Sequence, residues 1–368
     1  MILLRSSFGE KLKVTIFGGS HEPFIGVTIE GLPKGQKIDM ERVQEFLGRR
    51  APGNSIFSTS RKEPDLAIVQ AGLHNGVTFG MPVTIIIENK DTRSSDYSKL
   101  KDIPRPSHAD YTARVKYGDT LNMAGGGPFS GRMTAPLCIA GAIAMQVLEN
   151  HGITIGAHIL SIADIRDDSF YDSKDITAEM LREITDETFP VLSDDAGFAM
   201  QEAILFAREE GDSLGGVVEC CAIGVPAGIG GPMYDGVESV LAPIFFGIPA
   251  VKGVEFGIGF VSTFLKGSEN NDAFCFETNP EDNETKVVKT KTNRHGGILG
   301  GITSGMPIIT RLAFKPTPSI SIPQDSVNLD TGENATLTIE GRHDPCIVPR
   351  AVPVVEAAMA VGLLDLML

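Results

Sequence analysis

A chain of 368 residues, 42% apolar and 21% charged, has the composition of a globular protein, and its five cysteines, without a CxxC pair, fit neither a disulfide framework nor a zinc ribbon. Its 47 acidic residues against 32 Lys and Arg give a formal charge of −15, which opposes long-range attraction to nucleic acid or an anionic membrane. Any anionic ligand therefore requires a local cluster of arginines built against the protein's own field.

Leu12-Lys13-Val14-Thr15-Ile16 alternates apolar and polar residues as a half-buried strand does. Asp39 can cap a helix that carries Met40, Val43, Phe46 and Leu47 on one face, with Arg49 and Arg50 at its C-terminal end, where cations oppose the helix dipole. Ala51-Pro52-Gly53 ends it. Apolar runs at 66–69 and 83–87, set between Gly and Pro, predict further strands. Next comes a helix from Thr134, its expected cap, to Asn150; being apolar nearly all round, it belongs in the middle of the molecule. Its apolar stretch, 135–148, is shorter than the roughly 20 residues that cross a bilayer, so no membrane span is expected. Helices are predicted over 177–186, 196–210, 236–246 and 351–366, and strands over 217–225, 254–265 and 308–313. Two polar sections read as a surface excursion, 164–195, and a mobile loop, 269–292. No repeat and no linker divides the chain, so the expectation is one α+β domain over 1–368, its central helices flanked by antiparallel sheets. The N-terminal residues contain neither a secretory apolar core nor an amphipathic leader, which points to the cytoplasm.

Five short segments combine glycine, histidine and arginine in ways that core packing does not require: Phe17-Gly18-Gly19-Ser20-His21, Arg105-Pro106-Ser107-His108-Ala109-Asp110, Gly125 to Arg132, His295 to Gly301, and Gly341 to Cys346. His21 follows a strand and a glycine pair, so its imidazole can meet a ligand and move protons near neutral pH; a turn histidine with a structural hydrogen bond is the equal alternative. His108 lies between a cation and a carboxylate that shift its proton affinity in opposite directions. Gly125-Gly126-Gly127 can turn backbone N–H groups toward a phosphate or flavin, with the Thr134 helix close behind. No GxxxxGK[ST] occurs, which argues against a P-loop hydrolase. Arg49, Arg50, Arg61, Arg105, Arg132, Arg342 and Arg350 are candidates for the arginine cluster, since guanidinium groups grip carboxylate and phosphate through paired N–H bonds.

Taken together, these motifs resemble the chorismate synthase family over essentially the whole chain. The likeness rests on Thr15 to Gly18 with Ser20-His21, Arg49-Arg50 with Pro52-Gly53, Arg105-Pro106 with His108 to Thr112, Glu210 to Ser213, Ala250 to Glu255, Lys315-Pro316-Thr317, Gly341 to Cys346 and Pro349 to Pro353. The resemblance implies a β-α-β sandwich, a homotetramer, reduced FMN as cofactor, and a 1,4-anti elimination that converts 5-enolpyruvylshikimate 3-phosphate to chorismate and phosphate without net redox change. NAD(P)H would serve only indirectly, through an external flavin reductase. By the same resemblance His21 protonates the departing phosphate and His108 the reduced flavin, and Asp344, Ser20 and Ser130 relay a proton. Ser130, Ala250, Gly300, Lys315, Pro316, Thr317, Pro318, Ser319 and Arg342 would contact flavin. Arg49, Arg50, Arg61, Arg132 and Arg350 would hold substrate anions or the reductant.

The chain departs from the family pattern in several places. Gly19 stands for the usual Glu, Glu22-Pro23 for Gly, Ser107 for Gly, Ala51 for a third Arg, and Pro128-Phe129 with Met133 for an Arg-Ser pair and a Glu. Two other functions fit parts of the pattern. One is a metal-dependent hydrolase using His21, His108, Asp110, His343 and Asp344; the other is a protein that binds phosphate or flavin without turnover. No HExxH-like pair supports the first.

Overall fold

In the computed structural model, residues 6–53, 64–90, 102–173, 176–278, 284–339 and 344–368 are described. The chain is an α+β protein in which two five-stranded antiparallel sheets enclose a layer of helices. The first sheet is formed by β1 (Ser7–Phe8), β2 (Lys13–Gly18), β3 (Phe24–Glu30), β4 (Ile68–Ala71) and β5 (Val83–Glu88), in the order β1-β2-β3-β5-β4. In β5 Val83, Ile85 and Ile87 are buried and the residues between them are not, the alternation of a sheet with one face on the core.

The second sheet contains β6 (Thr154–Ile162), β7 (Ile165–Arg166), β8 (Gly216–Ile223), β9 (Val251–Phe256) and β12 (Ile308–Phe314), in the order β9-β12-β8-β6-β7. Between the sheets lie α1 (Met40–Arg50), α3 (Thr134–Glu149), α6 (Val237–Phe246) and α7 (Val348–Met367). The other helices longer than one turn are α2 (Asp110–Tyr117), α4 (Ala178–Asp186) and α5 (Asp194–Glu209); the two longest of four hairpins outside the large sheets are β10 (Phe274–Thr278) with β11 (Lys286–Thr290) and β13 (Gln324–Asn328) with β14 (Glu333–Leu337).

The central position of α3 follows from its composition: fourteen of its sixteen residues are buried. It crosses α7 so closely that a Cβ on Gly141 would stand 2.2 Å from the Cα of Ala357, so only glycine fits there. Gln146, which interrupts the apolar face, braces the start of α1: its Oε1 accepts the Asp39 N–H at 2.8 Å and its Nε2 donates to the Asp39 carbonyl at 3.0 Å. Asp39 caps α1 by accepting from the N–H of Glu41 and Arg42. By length and composition the segment Gly131–Glu149 could cross a membrane, but 89% of it is buried inside the protein. Cys138, Cys220, Cys221 and Cys346 are buried free thiols, and burial pushes Cys138 and Cys346 up to about 12; Cys275 is partly exposed.

Four sequence expectations need correction. Thr134 is the first helical residue of α3, with Met133 at the cap position; its hydroxyl donates to the Gly131 carbonyl at 2.6 Å instead of capping. The strand expected over 254–265 is Val251–Phe256, because Gly257 turns the chain at φ +58, where a Cβ would meet the Arg294 carbonyl at 2.1 Å; a 3₁₀ turn, Gly259–Phe264, follows. The loop expected over 269–292 contains the β10–β11 hairpin. The polar section 164–195 is not a simple surface excursion, since Phe170, Leu181 and Ile184 form a second small core with Cys221 and Ile309 of the second sheet.

Charge pins that section in place. Glu219 of β8 lies in register between Arg311 of β12 and His158 of β6. Its carboxylate accepts from Arg311 Nε at 2.8 Å, His158 Nε2 at 3.0 Å, the Ser169 hydroxyl at 2.7 Å and the Phe170 N–H at 2.6 Å. The other ring nitrogen of His158 lies 3.0 Å from Asp167, whose carboxylate also takes the N–H groups of Leu192 and Ser193. Both imidazole nitrogens thus face carboxylates and both donate, so the ring is an imidazolium and two cations balance two anions. Burial disfavours the charged ring, but its bonds to Asp167 and Glu219 outweigh that and raise its pKa above the ordinary 6.5. Burial likewise disfavours the Glu219 carboxylate, yet His158 and then Arg311 hold it down at about 2.

The signs give a stability window. The His158 contribution is complete below its ordinary value of 6.5 and disappears as pH rises through the raised folded value. The Glu219 contribution is complete above its ordinary value of 4.5 and disappears as pH falls toward about 2. Urea unfolding as a function of pH should show stability falling on the alkaline side, with that slope flattened in His158→Gln; a slope that survives the substitution would assign it to another group.

Candidate active site

Three of the five glycine, histidine and arginine segments, those of His21, His108 and Gly125 to Gly127, meet just beyond the end of β2. After β2 the chain turns at Gly19 to Glu22, placing His21 beside the 3₁₀ segment Ala124–Phe129. Ser20 is buried; its hydroxyl donates to the Ala124 carbonyl at 2.9 Å and lies 3.2 Å from His21 Nδ1. With the hydroxyl proton committed to Ala124, the ring's Nδ1–H is the donor of that second bond. Gly125, Gly126 and Gly127 all have positive φ, at 61, 90 and 52. A Cβ on Gly125 would stand 2.2 Å from His21 Cε1, and one on Gly126 would stand 3.4 Å from His108 Nε2. Gly125 and Gly126 are therefore the common floor of both imidazoles, while a Cβ on Gly127 would meet the Asn122 carbonyl at 2.3 Å.

His108 sits just before α2, in a loop with its own frame. Its Nδ1 lies 2.6 Å from Asp110 Oδ1, and Arg105 bonds the same carboxylate through its backbone N–H at 3.0 Å, Nε at 2.7 Å and Nη2 at 2.8 Å. Burial pushes the Asp110 carboxyl up, but the hydrogen bonds from Arg105 and then His108 outweigh it and hold the group well below the usual carboxylate range. Arg105 Nη1 also reaches the buried Ser319 hydroxyl at 3.3 Å, and Lys315 Nζ donates to the Ser107 carbonyl at 2.9 Å. The 315–319 segment is thus fastened to the His108 loop. Ala250, at φ +75, accepts the Lys315 N–H at 3.0 Å; Lys315 itself has a lowered pKa, from partial burial and then from the charge of Lys252. Pro316 follows Lys315; the Thr317 carbonyl accepts from Ser213 at 2.8 Å, and the Pro318 carbonyl accepts from Gln324.

A buried arginine cluster adjoins His21. Asp65, with no exposed side-chain surface, accepts from Arg50 Nη1 at 3.0 Å and Arg132 Nη1 at 2.6 Å. Arg50 also donates to Thr134 Oγ1 and the Gly131 carbonyl, both at 3.0 Å. Arg132 Nε donates to Asn89 Oδ1 at 2.7 Å, and Asn89 Nδ2 donates to the carbonyls of Gly19 and Glu22, so one amide joins the arginines to the His21 turn. Ser130 caps the next turn by accepting the Arg132 N–H, and its Cβ lies against Gly126. Arg350 donates to the Arg50 carbonyl and, at 2.5 Å, to Asp344. Burial first, then repulsion by Arg350, lowers Arg50 to about 10 despite Asp65. Within this cluster three guanidinium groups stand against two carboxylates, which is the local positive excess that the net charge called for.

Arg49 points elsewhere. It pairs with Glu356 of α7 at 2.5 and 3.1 Å, and that fully buried carboxylate also accepts the Ala157 N–H at 3.0 Å. Gly300 lies at an exposed turn between Ile298–Leu299 and Ile302–Thr303, away from the two histidine loops in the chain's hydrogen-bond pattern. Arg61, Arg342 and His343 lie outside the described residues. Sequence reasoning gave no functional part to Asp65, Asn89 or Thr134. The detectable signal was a lone Asp after Pro64, which here takes φ +42, a conformation that favours short polar residues. Among the described residues no group of three or more His, Cys, Asp or Glu side chains is arranged to hold a metal ion.

The family model described as chorismate synthase matches residues 12–368. A chorismate synthase of Pyrococcus abyssi is 48% identical over 358 residues, covering 97% of this chain and 96% of the relative. One from Korarchaeum cryptofilum is 44% identical with the same coverage. A solved structure titled "Crystal Structure of Chorismate Synthase" superposes with a TM-score of 0.73 at 26% identity, covering 98% of this chain and 92% of that one.

Proposed function

The chain belongs to the chorismate synthase family and so serves the shikimate pathway, and from that premise we propose that residues 1–368 act as one domain, a lyase that eliminates phosphate from 5-enolpyruvylshikimate 3-phosphate to give chorismate. The observation that carries this reading is the convergence of His21 and His108 on Gly125 and Gly126, beside a cluster with excess guanidinium charge. Phosphate departure needs a proton donor and a positive field. His21 is the donor. The substrate's anionic groups are assigned to Arg132, Arg350 and Arg61. Arg50 acts through its field, since Asp65, Thr134 and Gly131 already take its N–H groups, while Arg49 is neutralised by Glu356 and holds α1 to α7.

The residues also fit a flavin phosphate and its polar tail. Thr317 Oγ1 is buried without a hydrogen-bond partner, inside a segment that carries the half-buried Lys315. Ser130, Ala250, Gly300, Lys315, Pro316, Thr317, Pro318, Ser319 and Arg342 would hold reduced FMN. When bound, that group lends electron density to the substrate and recovers it, with no net redox change. His108 exchanges a proton at Nε2, on the glycine side, and Ser20, Ser130 and Asp344 relay protons around the site. NAD(P)H enters only through an external flavin reductase. We place the enzyme in the cytoplasm, as a homotetramer, which sedimentation would check.

Anaerobic incubation with dithionite-reduced FMN and the phosphorylated substrate should release chorismate and phosphate in equal amounts. Folded protein that forms no chorismate under those conditions would overturn the reading, and turnover that ignores FMN but stops with a chelator would replace it with a hydrolase.

A further inference from the structure

We propose that Asp110 and Arg105 are positioning residues that fix His108 as its Nδ1–H tautomer and aim Nε2 at the reacting space over Gly126. This rests on the part given to His108 above, and it assigns work to two side chains that act through that ring.

The geometry leaves the ring one arrangement. Asp110 is ionised, since Arg105 and His108 hold it well below the usual carboxylate range, and an ionised carboxylate only accepts. At 2.6 Å from Asp110 Oδ1, Nδ1 must therefore donate. The Arg105 Nη2 group, 3.0 Å from Nδ1, cannot donate to a nitrogen that already carries a proton; it is satisfied 2.8 Å away at Asp110 Oδ1. Nε2 is left as the nitrogen that exchanges a proton, and it is the ring atom nearest a Cβ position on Gly126. When Nε2 takes up a proton, the ring becomes an imidazolium whose charge Asp110 offsets while remaining ionised itself. When Nε2 gives the proton up, the same tautomer returns, so the ring need not turn between cycles.

Arg105 keeps the carboxylate from turning away. Three of its N–H groups bind the carboxylate, and Nη1 reaches Ser319. The charged groups that bear on the ring are Asp110 and Arg105 in its own loop, Lys315 on the Ser107 carbonyl, and His21 across the glycine strip.

The direct test is long-range ¹⁵N–¹H correlation on histidine-labelled full-length enzyme, with His108 assigned by its substitution. The neutral wild-type ring should be protonated at Nδ1. In Asp110→Asn the side-chain amide can donate, so the neutral ring should change to Nε2–H or a mixture. Turnover should fall roughly 10²-fold, a general acid–base contribution, with KM unchanged, and the limb of the kcat profile that reports the imidazolium should move to lower pH. Asp110→Glu should restore part of both readouts. A wild-type neutral ring protonated at Nε2 overturns the proposal without any variant, and so does an Asp110→Asn enzyme that loses turnover with its tautomer and pH profile unchanged. Wild-type protein that shows Nδ1–H but makes no chorismate would overturn the functional reading and leave this positioning intact.

Discussion

Replacing His21 or His108 by alanine should lower turnover by roughly 10²- to 10⁴-fold, the range that general acid–base groups contribute, while leaving the protein folded. Neither ring belongs to the hydrophobic core; both are partly exposed and rest on the glycine strip. Without His21, Ser20 still donates to Ala124 and the turn keeps its bond to Gly127. Without His108, Asp110 keeps Arg105. The two variants should differ in how they fail. The His21 variant loses the proton for the departing phosphate, so single-turnover chorismate formation should slow under anaerobic conditions even with saturating reduced FMN. The His108 variant should additionally change the optical spectrum of reduced flavin as pH is raised. Near-normal turnover with either variant would remove that histidine from the chemistry.

Asp65→Ala should be the most destabilising single change at the site, costing about 3–5 kcal/mol, the penalty of stranding buried charge by removing its partner. Among the described residues Asp65 is the carboxylate shared by Arg50 and Arg132, and all three side chains are buried. Arg50 is already lowered to about 10 by burial and by Arg350, so removing its counter-charge leaves two guanidinium groups to repel each other without solvent. The urea midpoint should fall with the slope of the transition unchanged, and turnover should fall with it, because Arg132 also holds Asn89 and, through it, the His21 turn. Asp65→Asn keeps the shape and should lose less. An unchanged midpoint in Asp65→Ala would mean that water reaches the cluster.

Elements whose cause is local were readable from the sequence. The apolar run that became α3, the cap at Asp39 and the helix near the C-terminus each declare themselves in a window of a dozen residues. The two histidine loops stood out because glycine, histidine and arginine together serve no packing purpose. Long-range compensation was not readable. Nothing near Asp167 or Glu219 announces that His158 and Arg311 will neutralise them, so the 164–195 section looked like surface when part of it is core. Arg49 and Arg50 are neighbours with the same chemistry, yet they sit on different sides of α1, one toward Glu356 and the other toward Asp65. The short run Phe274-Cys275-Phe276 was a strand signal hidden by the charge around it.

The helix α7 comes after every other element in the chain, yet both ends of the fold wait for it. Asp365 accepts the N–H groups of Glu10, Lys11 and Leu12, and Glu356 satisfies both Arg49 and Ala157. During synthesis the turn after β1 therefore leaves the ribosome unsatisfied, and the part of the second sheet that packs on α7 stays uncovered until that helix follows. Partners more than 350 positions apart make such an assembly slow and prone to association while it waits. Nascent chains stalled just before α7 should therefore be recovered in poorer yield than chains stalled after it, the expected result of placing this helix behind both sheets.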